Sequence, residues 1–337
     1  MRRRSCWKIS PELLVVPDAG LAYVPIFGDG IHGRNPNPGH RLCIIDLEKR
    51  AHVGDIDLRP FIAPHTLRLA PDGMIYITCE NSAVVAVIDR STHKVVDAID
   101  SGSTNGHRLV ISPDGERLYT ENEEDGTVSV IDLPRRKLLG KIKTPRPLAG
   151  IAISADGRTV VAVDDAQPSL FLIDTADGRI TREVRLEGVP KAAQIARYAP
   201  DNSLLCVTSL NSDTVSLIDP SVRQQTAIKV GSQPMDMAFR GDELFVACQG
   251  PCTSSIFQSD SQSIASVLVW AANRLAFSNG LVDQRPPLAR ISSEGPMKLP
   301  RRKRSRCWRR PGCGSAEHIA WHIGGTCRIQ GLFPTMG

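Results

Sequence analysis

Aromatic side chains are scarce. Phe, Trp and Tyr together make up 5% of the chain, and three of the four Trp fall after residue 250. Nothing here interleaves aromatics with basic residues as single-stranded nucleic-acid platforms do. No run approaches the ~18 consecutive apolar residues that a membrane-spanning helix needs. The opening stretch MRRRSCWKISPELLVVPD is basic but carries no continuous apolar h-region, so no signal peptide is legible. The chain as written is expected to be cytoplasmic, or periplasmic or secreted if its true start lies upstream.

Several chemical signatures are also missing. There is no GxSxG, no P-loop and no CxxCH for covalent haem. Gly28-Asp29-Gly30-Ile31-His32-Gly33 matches a dinucleotide fingerprint by letters, but no helical pattern follows it. His318 and His322 stand four apart in HIAWH without the Glu that HExxH requires. Cys307, Cys313 and Cys327 form no CxxC pair, so no metal centre is assigned to the tail. Nine cysteines is an odd number, and nothing requires an oxidising compartment. Cys43, Cys79, Cys206 and Cys248 sit inside strand-like runs and are expected to be buried free thiols.

The net charge of +5 misleads. Residues 251–337 hold twelve Lys and Arg against four Asp and Glu, so +8 belongs to that tail and −3 to residues 1–250. Nucleic-acid binding would therefore run through the tail or not at all.

What is present is a repeat. The acids of the Pro/Ala-Asp-Gly/Asn turns are Asp72, Asp114, Asp156 and Asp201, spaced by 42, 42 and 45. The Ile-Asp pairs end at Asp46, Asp89, Asp132, Asp174 and Asp219, spaced by 43, 43, 42 and 45. Two independent anchors keep one period. Each period holds four strand-like runs; in 107–142 they are LVIS, RLYTE, TVSVID and KLLGKI. Asp-Gly supplies hairpin chemistry, because Gly tolerates positive φ. The turn acids Asp72, Asp114, Asp132 and Asp174 read as structural, since Asp side chains bond backbone amides just ahead of them. The alternation Thr127-Val128-Ser129-Val130 suggests a half-buried strand. No window shows helical periodicity. Four short strands every 40–45 residues is the period of a β-propeller blade.

These residues resemble the YVTN-type seven-bladed β-propeller family, whose repeat runs roughly SPDGxxLYVTN followed by TVSVID. The tetrapeptide stands here as Tyr119-Thr120-Glu121-Asn122, Tyr76-Ile77-Thr78-Cys79 and Phe245-Val246-Ala247-Cys248. The expected architecture is all-β: about five four-stranded blades and a partial sixth, at about 10–55, 60–100, 104–143, 146–187, 189–230 and 231–250. A TVSVID-like strand should follow residue 250. PCTSSIFQSDSQSIASVLVWAANRLAF stands there instead. Residues 251–337 are thus expected to be an irregular, non-repeat basic tail foreign to the fold, as a shifted reading frame would produce. A closed propeller is expected to be monomeric, and one truncated after residue 250 to associate through open sheet edges.

The resemblance implies where chemistry would sit. In such propellers the first strand of each blade lines the central channel, and the second-to-third loops open at the same face. That gathers His65 and His107, each seven residues before a turn Asp, with Ala149 and Gln194 at the matching places. It adds Glu80, Asn81, Glu121, Asn122, Glu123, Glu124, Asp125, Asp164, Asp165, Asn211 and Asp213. A loop inserted in the first blade at 27–41 brings Asp29, His32, Arg34 and His40. The candidate ligand-binding set is His32, Arg34, His40, His65, His107, Glu80, Glu121, Asn122, Asp164 and Asn211. The bland alternative is a solvated polar rim.

The resemblance favours a binding or scaffold propeller holding a small molecule or protein at the channel mouth, with no cofactor and no assigned metal ligand. The alternative is a lactonase-like hydrolase with His65, His107 and Arg108 as catalytic candidates.

Overall fold

The computed structural model describes residues 12–31, 34–240 and 243–248, and the strand segments 256–257, 266–271 and 277–278. Among them no helix is long and apolar enough to cross a membrane. Of the candidate residues His32 lies outside this set, as do the tail cysteines and histidines and the basic run at 301–310. The backbone of Arg34 is described but its side chain is not.

The chain folds as successive four-stranded meanders. The first sheet holds β1 (Leu13–Val16), β2 (Leu21–Ile31), β3 (Arg34–Asp46) and β4 (Ala51–Asp57). The second holds β5 (Pro64–Leu69), β6 (Met74–Cys79), β7 (Val84–Asp89) and β8 (Lys94–Asp100). The third holds β9 (Gly106–Ile111), β10 (Arg117–Asn122), β11 (Thr127–Asp132) and β12 (Lys137–Lys143). The fourth holds β13 (Leu148–Ile153), β14 (Thr159–Asp164), β15 (Ser169–Asp174) and β16 (Ile180–Arg185). The fifth holds β17 (Ile195–Tyr198), β18 (Leu205–Ser209), β19 (Thr214–Ile218) and β20 (Gln225–Lys229). The sixth opens with the hairpin β21 (Pro234–Arg240) and β22 (Glu243–Cys248). It continues with β23 (Ile256–Phe257) and β24 (Ser266–Ala271), and here β24 runs parallel to β22 instead of antiparallel. β25 (Phe277–Ser278) pairs with β1 of the first sheet.

The repeated acids build the turns. In three hairpins the Gly after the turn Asp has a positive φ: 82° at Gly73, 74° at Gly115 and 71° at Gly157. The carboxylates of Asp72, Asp114, Asp156 and Asp201 accept the amide two residues on, at 2.9, 2.9, 3.1 and 3.0 Å. The Ile-Asp acids act alike one reversal later: Asp89 accepts the Ser91 amide and Asp174 that of Ala176, two residues on, and Asp132 that of Arg135, three on.

Packing explains the repetition. Each large core cluster is made by two adjacent sheets. Ile75, Ile77 and Ile88 of the second sheet pack with Tyr23, Leu42 and Ile44 of the first. Tyr76, Val85 and Val87, on the opposite face of the same strands, pack with Leu109, Leu118 and Ile131 of the third. The pattern continues between third and fourth, fourth and fifth, and fifth and sixth sheets. A middle strand is therefore buried on both faces, and a fully buried aliphatic side chain contributes about 1.5–3 kcal/mol. No single sheet could hide both its faces. This corrects the half-buried reading of β11: Ser129 is fully buried, its hydroxyl donating to the Ser101 carbonyl at 2.6 Å.

The first-blade insertion is likewise not a loop. It extends the β2–β3 ribbon, pairing Gly28 with Pro38 and Asp29 with Asn37. Glycine permits the close approach, because a Cβ on Gly39 would stand 1.8 Å from the Ile26 carbonyl oxygen. Cys43, Cys79, Cys206 and Cys248 are buried thiols outside any disulfide, as expected.

Candidate functional site

The site arises from a defect that recurs in the sheets. Where β5 pairs with β6, the register jumps from Pro64↔Cys79 to Leu67↔Ile77, so His65 and Thr66 together oppose one residue. Where β9 pairs with β10, Thr120↔Leu109 gives way to Asn122↔Gly106, so His107 and Arg108 together oppose Glu121. Strict alternation would send two consecutive side chains to opposite faces. A bulge re-aims them, so that neither need enter the apolar inter-sheet core. The bulges lie where a first strand begins and a second strand ends, which puts the imidazoles at the same end of their sheets as Glu80 and Glu123.

His65 and His107 meet. Their Nε2 atoms are 3.0 Å apart and their ring centroids 4.1 Å, with both residues buried. His107 Nδ1 lies 2.7 Å from Glu121 Oε1 and 3.1 Å from Glu123 Oε2. The Glu121 hydrogen bond to Nδ1 favours the tautomer with its proton on that nitrogen and leaves the Nε2 lone pair facing His65. His65 Nδ1 lies 3.1 Å from Thr66 Oγ1, and its Nε2 lies 3.9 Å from Glu80 Oε1. Phe27, brought in by the extended ribbon, sets its ring edge-on against His65 with centroids 5.6 Å apart. Behind the pair, Thr78 Oγ1 accepts from the Thr66 amide at 3.0 Å and donates to the His107 carbonyl at 2.8 Å, joining second and third sheets.

Buried carboxyls that crowd one another dominate the electrostatics. Burial, then Glu123, Glu121 and Glu124, push the Glu80 carboxyl up to about 9. Burial, then Glu121, Glu124 and Asp165, push Glu123 up to about 9 as well. Burial, with Glu121, Asp164 and Glu124 nearby, also raises Asp165. Arg108, whose charge acts against the upward shifts of Glu80 and Glu123, is itself bonded: its Nη1 donates to Glu12 Oε1 at 2.5 Å and its Nε to the Ala149 carbonyl at 3.3 Å. Glu12 also accepts from Arg68 at 2.7 Å. Burial pulls the Glu12 carboxyl upward, but Arg68, Arg108 and Arg197 together outweigh it and hold it well below the usual range. Next to them Arg197 clamps Asp236 with two bonds of 2.9 Å.

The candidates thus separate. His65, His107, Glu80 and Glu121 come together. Arg108 belongs to the Glu12 ion network. His40 pairs instead with Asp57 on the first sheet, at 3.1 Å. Asn122 is buried within the third sheet, its amide donating to Thr127 and Ser129 hydroxyls. Asp164 is a turn acid, bonded by the Ala166 and Gln167 amides, Ser169 and Arg146. Asn211 is exposed on a 3-10 turn, Leu210–Ser212. Sequence reasoning missed Phe27, Glu12, Arg68, Arg197 and Asp236. Arg68 and Arg197 each stand four residues before a turn Asp, a signal that was available; Glu12, just before the first strand, matches no repeated position and had none.

Successive four-stranded sheets with cores buried between neighbours define a β-propeller. The chain belongs to the Cytochrome D1 heme domain family, whose model matches residues 70–246. Two curated relatives, each called uncharacterized protein YncE, are 23% identical (Salmonella typhi) and 22% identical (Salmonella typhimurium) over 182 residues. These cover 52% of this chain and 49% of each relative, so the chain spans about half the length of the curated relatives it matches. Kuenenia stuttgartiensis hydrazine synthase is similar in structure, with a TM-score of 0.60 at 21% identity, covering 70% of this chain and 73% of that one. Virginiamycin B lyase from Staphylococcus aureus has a TM-score of 0.53 at 14% identity, covering 67% of this chain and 72% of that one. Both show the fold alone.

The family name implies haem, and the described residues do not fit it. An axial ligand must turn its nitrogen to the face of a flat macrocycle. His65 and His107 turn theirs to each other across 3.0 Å, and the arginines that could meet propionates are held by Glu12. No haem chemistry follows from these side chains.

Proposed function

We propose that this chain is a binding propeller whose channel mouth, built on the second and third blades, takes a cationic ligand. One observation carries the reading: the His65–His107 pair is buried among Glu80, Glu121 and Glu123 instead of projecting into water. A solvated rim needs no buried carboxylates. Gathering several beside two imidazoles costs folding free energy, and such groups are retained where they meet a ligand. The test is thermal unfolding of the full chain against metal chlorides and organic mono- and diamines. A cation bound only by the folded state raises the midpoint in proportion to ln(1 + [L]/Kd). Stabilisation that is lost in His107→Ala supports the reading; indifference to every cation overturns it.

A hydrolase at the same mouth is the second reading, favoured by the 2.7 Å contact of His107 with Glu121, which orients an imidazole as a base is oriented. Lactone hydrolysis abolished by His107→Ala would support it. The fold neighbours' names, a synthase and a lyase, transfer no chemistry at this identity.

A further inference from the structure

We propose that His65 Nε2, His107 Nε2 and the Glu80 carboxylate form a site for one first-row divalent transition ion of the zinc class. The inference rests on the reading of the mouth as a cation-binding face and names the cation. One ligand atom from each of the three residues falls within 4.8 Å of the other two, and all three residues are buried. Ligands held ~2.1 Å from a tetrahedral ion stand about 3.4 Å from one another. The Nε2 to Nε2 distance of 3.0 Å and the His65 Nε2 to Glu80 Oε1 distance of 3.9 Å bracket that value, and the remaining edge, Glu80 to His107, lies within 4.8 Å.

The surroundings match what such an ion requires. Two imidazoles and one carboxylate are a borderline donor set that suits zinc, iron or cobalt, not the all-oxygen shell of calcium or magnesium. Glu121 on His107 Nδ1 supplies the outer hydrogen bond that orients a ligating imidazole and raises its basicity. Arg108, the cation whose field reaches the site, is itself ion-paired with the buried Glu12 carboxylate. Three protein ligands leave a fourth position for a ligand of the ion itself, which is where a propeller mouth would present it.

The experiment is titration of the chelator-treated full chain with ZnCl2 and CoCl2, with CaCl2 and MgCl2 alongside, followed by calorimetry and by the visible absorption of bound cobalt. One equivalent of zinc or cobalt is expected to bind, with tetrahedral-type cobalt bands and no response to calcium or magnesium. Glu80→Gln should weaken binding about tenfold or more, and His107→Gln should abolish the bands. Glu80→Gln keeps shape and volume, and circular dichroism checks that each variant folds. Cys43, His52 and Asp55 form another group of ligand-bearing side chains, on the first sheet. Cys43→Ser therefore serves as a control that should bind as the parent does. Binding lost in Cys43→Ser but kept in His107→Gln overturns the assignment. So does stabilisation by organic cations with no zinc or cobalt uptake, although the broader cation reading would then stand. If no cation of either kind binds, both fail together.

Discussion

The Thr78 hydroxyl, on the second sheet, donates to the carbonyl of His107, on the third, across 2.8 Å, and accepts from the Thr66 amide at 3.0 Å. One side chain thereby holds both histidine-bearing bulges. Replacing it with isosteric Val leaves a buried carbonyl and a buried amide without that hydroxyl, which costs about 1–3 kcal/mol. Urea unfolding of Thr78→Val should show this as a lower midpoint with an unchanged slope. An unaffected midpoint would mean that the seam carries no stability.

Glu80 and Glu123 set a pH dependence. In the folded chain both are pushed from 4.5 up to about 9, chiefly by burial. Between those values the folded state therefore holds protons that the unfolded chain has released, and stability falls as pH rises through this window. In chelator, the unfolding midpoint should drop from pH 5 to pH 9, and the double variant Glu80→Gln with Glu123→Gln should flatten the slope.

The turn acids act at the other end of the scale. Hydrogen bonds from the Ser91 hydroxyl and amide hold Asp89 down to about 2, and Asp114, Asp156 and Asp201 are lowered in the same way by Ser112, Ser154 and Ser203. Their contribution is complete above the unfolded value of 3.8 and is lost as pH falls through the folded values. A circular dichroism titration should show unfolding that begins below about pH 4 and moves upward in Ser112→Ala with Ser154→Ala.

Removing Glu12 strands buried charge. Arg68 and Arg108 both donate to it, and Glu12→Ala leaves their guanidinium groups without that carboxylate. Breaking a buried pair from one side costs about 3–5 kcal/mol. Denaturant unfolding should report a loss of that size, and the intact chain should melt higher than one lacking residues 1–12.

Gly150 marks the seam between fourth and fifth sheets. A Cβ there would stand 2.3 Å from the Gln194 carbonyl oxygen. Gly150→Ala must push backbone from backbone and should destabilise by about 1–3 kcal/mol, read by thermal unfolding; equal stability would show that the two sheets do not abut.

Much of this was legible before any coordinates. The spacing of Asp72, Asp114, Asp156 and Asp201 marked the hairpins, because an Asp-Gly turn is a local device whose chemistry lies within four residues. The equivalence of His65 and His107 marked them as neighbours across blades, because a repeat converts sequence offset into spatial adjacency. The candidates that failed to join the cluster did so for reasons that no offset carries. Asn122 is drawn into its own sheet by Thr127 and Ser129, Asp164 is claimed by turn amides, and His40 rides a ribbon that had looked like a loop.

By itself, then, the amino-acid order determined that strands of fixed period must stack into blades, since alternating apolar residues on both faces can be hidden only by neighbours on either side. Which polar residues meet was decided by tertiary structure alone. The bulges that turn His65 and His107 toward each other, and the carboxylate at residue 12 that withdraws Arg108, depend on pairings between residues 42 and 96 positions apart. Local propensity does not reach that far; only the closing of sheet against sheet brings such groups within hydrogen-bonding distance.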